Sequence, residues 1–130
     1  FLAPRTRLGM QLRNRLLGRG PDREPLVGEV RAIADRADVD LDLARTVDTE
    51  TLRMLMSVGG ELDRGRCWLT AELLVLEALE ARQGGDPNTA KAAAARALEL
   101  YSWIPEHWRP LADVPPVSSR VAEATALLAE

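Results

Sequence analysis

A chain of 130 residues and 14.3 kDa is of single-domain size, because chains split into separate cores only beyond roughly 250 residues. Hydrophobic residues make up 46% and charged residues 28%, the balance of a folded domain and not of a disordered tail, a collagen or a membrane bundle. The formal charge of −3 averages two unlike parts: residues 1–20 carry Arg5, Arg7, Arg13, Arg15 and Arg19 with no acid, and the remainder holds 12 basic against 20 acidic side chains, a net −8.

Cys67 is the only cysteine and His107 the only histidine, which excludes disulfide frameworks, Cys/His zinc sites and iron–sulfur clusters. No metal or cofactor is expected. An acidic body repels phosphate backbones, so nucleic acid is not expected as a partner unless the basic leader alone binds it.

The chain opens on Phe1. Phe-Leu-Ala-Pro followed by scattered arginines reads either as a surface tail or as the end of a transmembrane helix and its cytoplasmic flank, where Lys and Arg are enriched. The expected location is accordingly the cytoplasm, with the cytoplasmic face of a membrane as the alternative. Leu8, Leu12 and Leu16 recur every four residues among arginines, a spacing suited to a basic helix on an anionic membrane, although Arg15 and Arg19 fall near the apolar stripe. Within the chain, the densest apolar run, Leu73-Leu74-Val75-Leu76, is bounded by Glu72 and Glu77 and is far short of the roughly 20 residues a span needs. Gly18-Arg19-Gly20-Pro21 marks the expected boundary between an arm over 1–20 and a single domain over 21–130.

Helical spacing runs through nearly all of that domain, and strand alternation is almost absent. Leu26, Val30, Ile33, Ala34 and Ala37 predict a first amphipathic helix, with Asp22 as a cap and Pro25 in its first turn. Asp38-Val39-Asp40-Leu41-Asp42 resembles the start of a calcium loop, but Leu43 replaces the required glycine and Thr49 the bidentate glutamate, so a solvated acidic connector is expected. Asp48 caps a second helix with the stripe Leu52, Leu55 and Met56, closed by Gly59-Gly60.

From Arg64 to Gln83, Trp68, Leu69, Leu73, Leu74, Val75, Leu76, Leu79 and Ala81 point almost all around the helical wheel, as in a helix buried on most sides. Gly84-Gly85 ends it, and Asp86-Pro87 opens the next, whose stripe is Ala90, Ala94, Ala97, Leu98 and Tyr101. Alanines at those places let two helices approach at the short end of the usual separation of roughly 8–10 Å. Pro105, Pro110, Pro115 and Pro116 then confine regular structure to one turn around Glu106-His107-Trp108. Tyr101, Trp103 and Trp108 cluster beside these prolines and are expected to pin the corner to the body. A last helix is expected from Ser118 or Ser119, carrying Val121, Thr125 and Leu128. The fold class is all-α: a five- to six-helix bundle, or a short α-solenoid, around a central hairpin from Arg64 to Trp103.

Ala90, Ala94 and Ala97-Leu98-Glu99-Leu100, preceded by the Gly85-Asp86 turn, resemble the second helix of a tetratricopeptide (TPR) repeat. A step of about 34 residues from Leu74, in the usual tryptophan slot, reaches Trp108, and Trp108-Arg109-Pro110-Leu111-Ala112 resembles the opening of a following repeat. Glu77 and Ala81 replace the usual leucine and tyrosine of the first helix. The resemblance covers about residues 72–112 and implies a scaffold whose first helices line a groove for a protein partner. By matched position that groove would consist of Glu72, Val75, Leu79, Arg82 and Gln83. Repeats normally stack at least about three deep, so flanking helices or a second copy of the chain would cover the ends.

Chemistry-bearing patterns are sparse. Glu77 and Glu80 lie three apart with Glu72 nearby, but a di-iron bundle needs Glu-x-x-His pairs, and Ile104 holds the place three before His107. These carboxylates are expected at the solvent edge of the helix. Cys67 and His107 would form a nucleophile–base pair only if the fold brought them to hydrogen-bond distance; beside Trp68 and Leu69, Cys67 is expected to be a small buried hydrophobe. No catalytic residue is assigned. The expected function is a non-enzymatic interaction domain, TPR-like, with a protein partner or a second copy of itself. The alternatives are the cytosolic part of a membrane-anchored protein, contacting anionic lipid through residues 1–20, and a small helical enzyme or metal protein.

Overall fold

The computed structural model describes residues 34, 35, 38–110, 112 and 114–129. The first predicted helix, apart from Ala34 and Asp35, and the basic arm lie outside the described residues. Among the described residues the chain forms α1 (Leu41–Thr46), α2 (Thr49–Leu55), a two-stranded hairpin of β1 (Ser57–Val58) and β2 (Glu61–Leu62), α3 (Arg64–Gln83), α4 (Pro87–Tyr101) and α5 (Val117–Leu128). The expected all-α architecture with a central hairpin is present, with only two short strands added.

Four of these helices start in the same way. Asp40, Asp48, Asp63 and Asp86 sit at their N-caps, and each carboxylate accepts the backbone N–H three residues on, at 3.0, 2.9, 3.1 and 3.2 Å. Each bond satisfies a donor that has no partner within its helix. Gly85, at φ 81°, then reverses the chain between α3 and α4 in a backbone conformation that L side chains rarely adopt. Start and end of this hairpin meet: the Cys67 thiol donates to the Leu100 carbonyl at 3.2 Å. The two helices therefore run antiparallel.

Helix α3 is the centre. Every residue from Cys67 to Leu76 is buried, as are Ala78 and Leu79, so neighbours surround the helix as the apolar wheel predicts. Helix α4 buries Ala90, Ala93, Ala94, Ala97, Leu100 and Tyr101, and packs on both α3 and α5, more extensively on α3. The alanine stripe is where the spacing put it, with Ala93 added and Leu98 only partly buried. Helix α5 lies mainly along α4 and meets α3 over a smaller area.

Three expectations are corrected. The acidic segment at 38–42 is not a solvated connector: Val39 and Leu41 are buried, and Asp40 caps α1. Its carboxylates face outward while its two apolar side chains enter the core. Gly59-Gly60 does not end α2 directly. The helix stops at Leu55, and the glycines, at φ 61° and 83°, make the two-residue turn of the hairpin that pairs Ser57 with Leu62 and Val58 with Glu61. Finally, α5 starts at Val117, behind Pro116, with no side-chain cap; it buries Val117, Arg120, Ala124 and Leu127, while Val121 and Leu128 of the expected stripe are partly buried against the core. Thr125 is exposed, and its hydroxyl bonds to the Val121 carbonyl at 2.7 Å.

The corner between α4 and α5 is pinned as expected. Ile104 is buried, Trp103 and Trp108 pack against the core, and the Trp108 carbonyl accepts the Val117 N–H at 3.1 Å. A turn holds Glu106 and His107, whose side chains are exposed.

Candidate functional site

The five groove residues share the face of α3 that a period of 3.6 brings together, but the structure divides them. Glu72, Val75 and Leu79 are buried, with relative exposures of 3%, 0% and 7%. Arg82 and Gln83, at the C-terminal end of α3, are exposed. The expected open groove along α3 is thus closed over its first half, because other parts of the fold pack on that face.

Glu72 shows what closes it. Its Oε2 accepts the Tyr101 hydroxyl from the last residue of α4, and its Oε1 accepts Arg120 Nε from α5 at 3.0 Å. The carboxylate thus joins three helices in the interior, and its expected place at the solvent edge is corrected. A buried carboxylate is tolerable only when paired and hydrogen-bonded, which both partners accomplish. Tyr101 was legible as a core residue and Arg120 was not. The available signal was the stripe Val117, Arg120, Ala124 and Leu127, an apolar helical face with one cation inside it.

The other carboxylates of α3 stand apart from any paired-metal arrangement. Glu77 lies 3.5 Å from Arg45 Nε on α1, and Glu80 is partly buried. No group of three or more His, Cys, Asp or Glu among the described residues is placed to hold a metal ion. A cleft of about 420 Å³ is lined by Ala34, Val39, Leu41 and the carboxylates of Asp35, Asp38, Asp40 and Asp42. Asp40 spends one oxygen on its helix cap and Asp42 pairs with Arg45.

Cys67 is buried, and burial pushes its thiol up to about 12, so it is protonated at neutral pH, whereas nucleophilic attack needs the thiolate. His107 is exposed on the corner and does not share that interior. The structure does not bring the two together.

A second cluster joins the N-terminal helices to the hairpin. On α4, Arg96 pairs with Glu99 at 2.6 Å and donates to the carbonyl of Val47, between α1 and α2, while the Thr49 hydroxyl donates to Glu99. From the start of α3, Arg66 donates to the carbonyls of Leu55 at 3.0 Å and Asp38 at 2.6 Å. Arg53 on α2 lies over the Trp103 ring, 5.2 Å from its centroid, within cation–π range. These arginines bond mainly to backbone, which is the work of holding short helices in place. Among the described residues no helix is long and apolar enough to cross a membrane.

The chain matches no protein-family model, no curated protein and no solved structure.

Proposed function

We propose that this chain is a non-enzymatic interaction domain, a TPR-like adaptor that holds a protein partner through helical faces. The observation that carries the reading is the α3–α4 hairpin: two antiparallel helices joined by a three-residue turn, with Ala90, Ala93, Ala94 and Ala97 buried along α4. A helical hairpin closed by a short turn is the build of a helical repeat unit, and that likeness supports the reading. Partner contact is assigned to the exposed end of α3, at Arg82 and Gln83, since Glu72, Val75 and Leu79 lie inside the fold. Arg82→Glu in the full chain, cross-linked in its own cells, tests this. Loss of the cross-linked partner with unchanged helical content is the expected result, and undiminished capture removes the assignment.

A second reading rests on the charge division of the chain, in which five arginines without an acid precede an acidic body. In it the domain works at the cytoplasmic face of a membrane and residues 1–20 contact anionic lipid. Sedimentation with phosphatidylserine vesicles, with and without residues 1–20, separates the readings; equal sedimentation of both chains ends the second.

A further inference from the structure

We propose that the groove between α3 and α4 around Glu72 is a helix-receiving site that α5 fills in the free chain, and that the partner it admits is an amphipathic helix bringing one guanidinium to Glu72. This rests on the interaction reading and adds to the exposed end of α3 a second contact, at Glu72, that α5 covers in the free chain.

Three observations carry it. The buried face of α5 is Val117, Arg120, Ala124 and Leu127, so a cation occupies a place where the helical period calls for an apolar side chain. Arg120 meets Glu72 at 3.0 Å beside the Tyr101 hydroxyl, with side-chain exposures of 9% and 4% for the arginine and the glutamate. A buried ion pair contributes little net stability compared with apolar groups of similar volume, but it rejects a helix that lacks the matching charge. The groove therefore selects its occupant more than it tightens it.

The second observation is how α5 is held. Of the five helices Leu41–Thr46 to Val117–Leu128 among the described residues, it alone starts without a side-chain cap, at Pro116, whereas the other four start on a bonded aspartate. The third is its connection. Ser102 to Pro116 carries Pro105, Pro110, Pro115 and Pro116, holds no helix or strand among its described residues, and is tied to the first turn of α5 by backbone bonds from Val117 and Ser118 to the carbonyls of Trp108 and Glu106. A helix that is charge-selected and joined by a proline-rich segment leaves by breaking these two backbone bonds and the Arg120–Glu72 pair, with the Cys67–Leu100 bond of the α3–α4 hairpin intact. A tethered occupant acts at an effective concentration of about a millimolar, so a helix in trans enters only when α5 is loosened.

The test uses the full chain and a fluorescent peptide of residues 114–129 as the incoming helix. Leu127→Ala loosens α5 without touching Glu72 or Tyr101. This variant is expected to bind the peptide at least about tenfold more tightly than the unaltered chain does, by release of the competing helix. The peptide with Arg120→Met is expected to bind at least about tenfold more weakly than its parent. Equal binding of the two peptides, or none, overturns the proposal. Should Leu127→Ala unfold the chain, hydrogen exchange on the unaltered protein decides. Amides of α5 that exchange separately from those of α3 and α4 support the proposal, and one common opening rate sinks it. Because the probe is the chain's own helix, failure here leaves partner capture at Arg82 and Gln83 as a separate question.

Discussion

Arg120 on α5 and Glu72 on α3 meet at 3.0 Å in the interior, 48 residues apart in sequence, with the Tyr101 hydroxyl on the second carboxylate oxygen. Removing one partner leaves the other as a buried charge. Arg120→Met is therefore expected to destabilise the domain by about 3–5 kcal/mol in urea unfolding at neutral pH. Replacing the set together, with Glu72→Leu, Arg120→Leu and Tyr101→Phe, is expected to be nearly neutral or stabilising. A cost below about 1 kcal/mol for Arg120→Met would show that water reaches the pair.

The alanine stripe of α4 is set for close approach. Ala94 and Ala97 are both 0% exposed, so Ala94→Leu has no space to enter and is expected to cost about 1–3 kcal/mol or more by thermal unfolding. Ala95→Leu, on the exposed side of the same helix, is the control and is expected to leave the midpoint nearly unchanged. Equal effects would place the α3–α4 contact elsewhere.

The helix caps carry a pH signature. Hydrogen bonds from Thr89, side chain first and then backbone N–H, hold the Asp86 carboxyl below its usual range, and Thr51 does the same for Asp48. A carboxyl depressed in the folded state contributes stability that is fully present above its unfolded value, near 3.8, and is lost as pH falls through the lower folded value. Below about pH 4 the melting temperature is thus expected to fall, and to fall less for Asp86→Asn, whose cap does not titrate. Parallel acid profiles for the two proteins would contradict the assignment.

Cys67 offers a kinetic readout. Its thiol is buried, pushed up to about 12 and bonded to the Leu100 carbonyl. Alkylation by iodoacetamide at neutral pH is expected to be negligible in the native domain and to track the population opened by denaturant. Prompt labelling without denaturant would mean that the α3–α4 contact opens locally.

Much of this architecture was legible because its signals are local. Between 67 and 79 the apolar residues point almost all around the wheel, Ala90, Ala94 and Ala97 repeat at helical spacing, and Asp48 and Asp86 stand directly before the helices they cap. The misreadings share a different cause. Asp38-Val39-Asp40-Leu41-Asp42 hides a cap inside a run of acids, and Ser57–Val58 with Glu61–Leu62 is too short a hairpin to leave an alternating pattern. Of the expected groove, Arg82 and Gln83 lie exposed at the end of α3, while Glu72 is buried and paired with Arg120 from a distant helix. No window of local sequence contains both.

The central place of α3 also orders events during synthesis. Helix α1 has only six residues and buries Leu41 and Ala44 against parts of the chain translated later, including α3 and α4. So short a helix has no stability of its own in water. The N-terminal helices thus leave the ribosome before the surface that shelters them exists, and the chain must set its middle before its beginning.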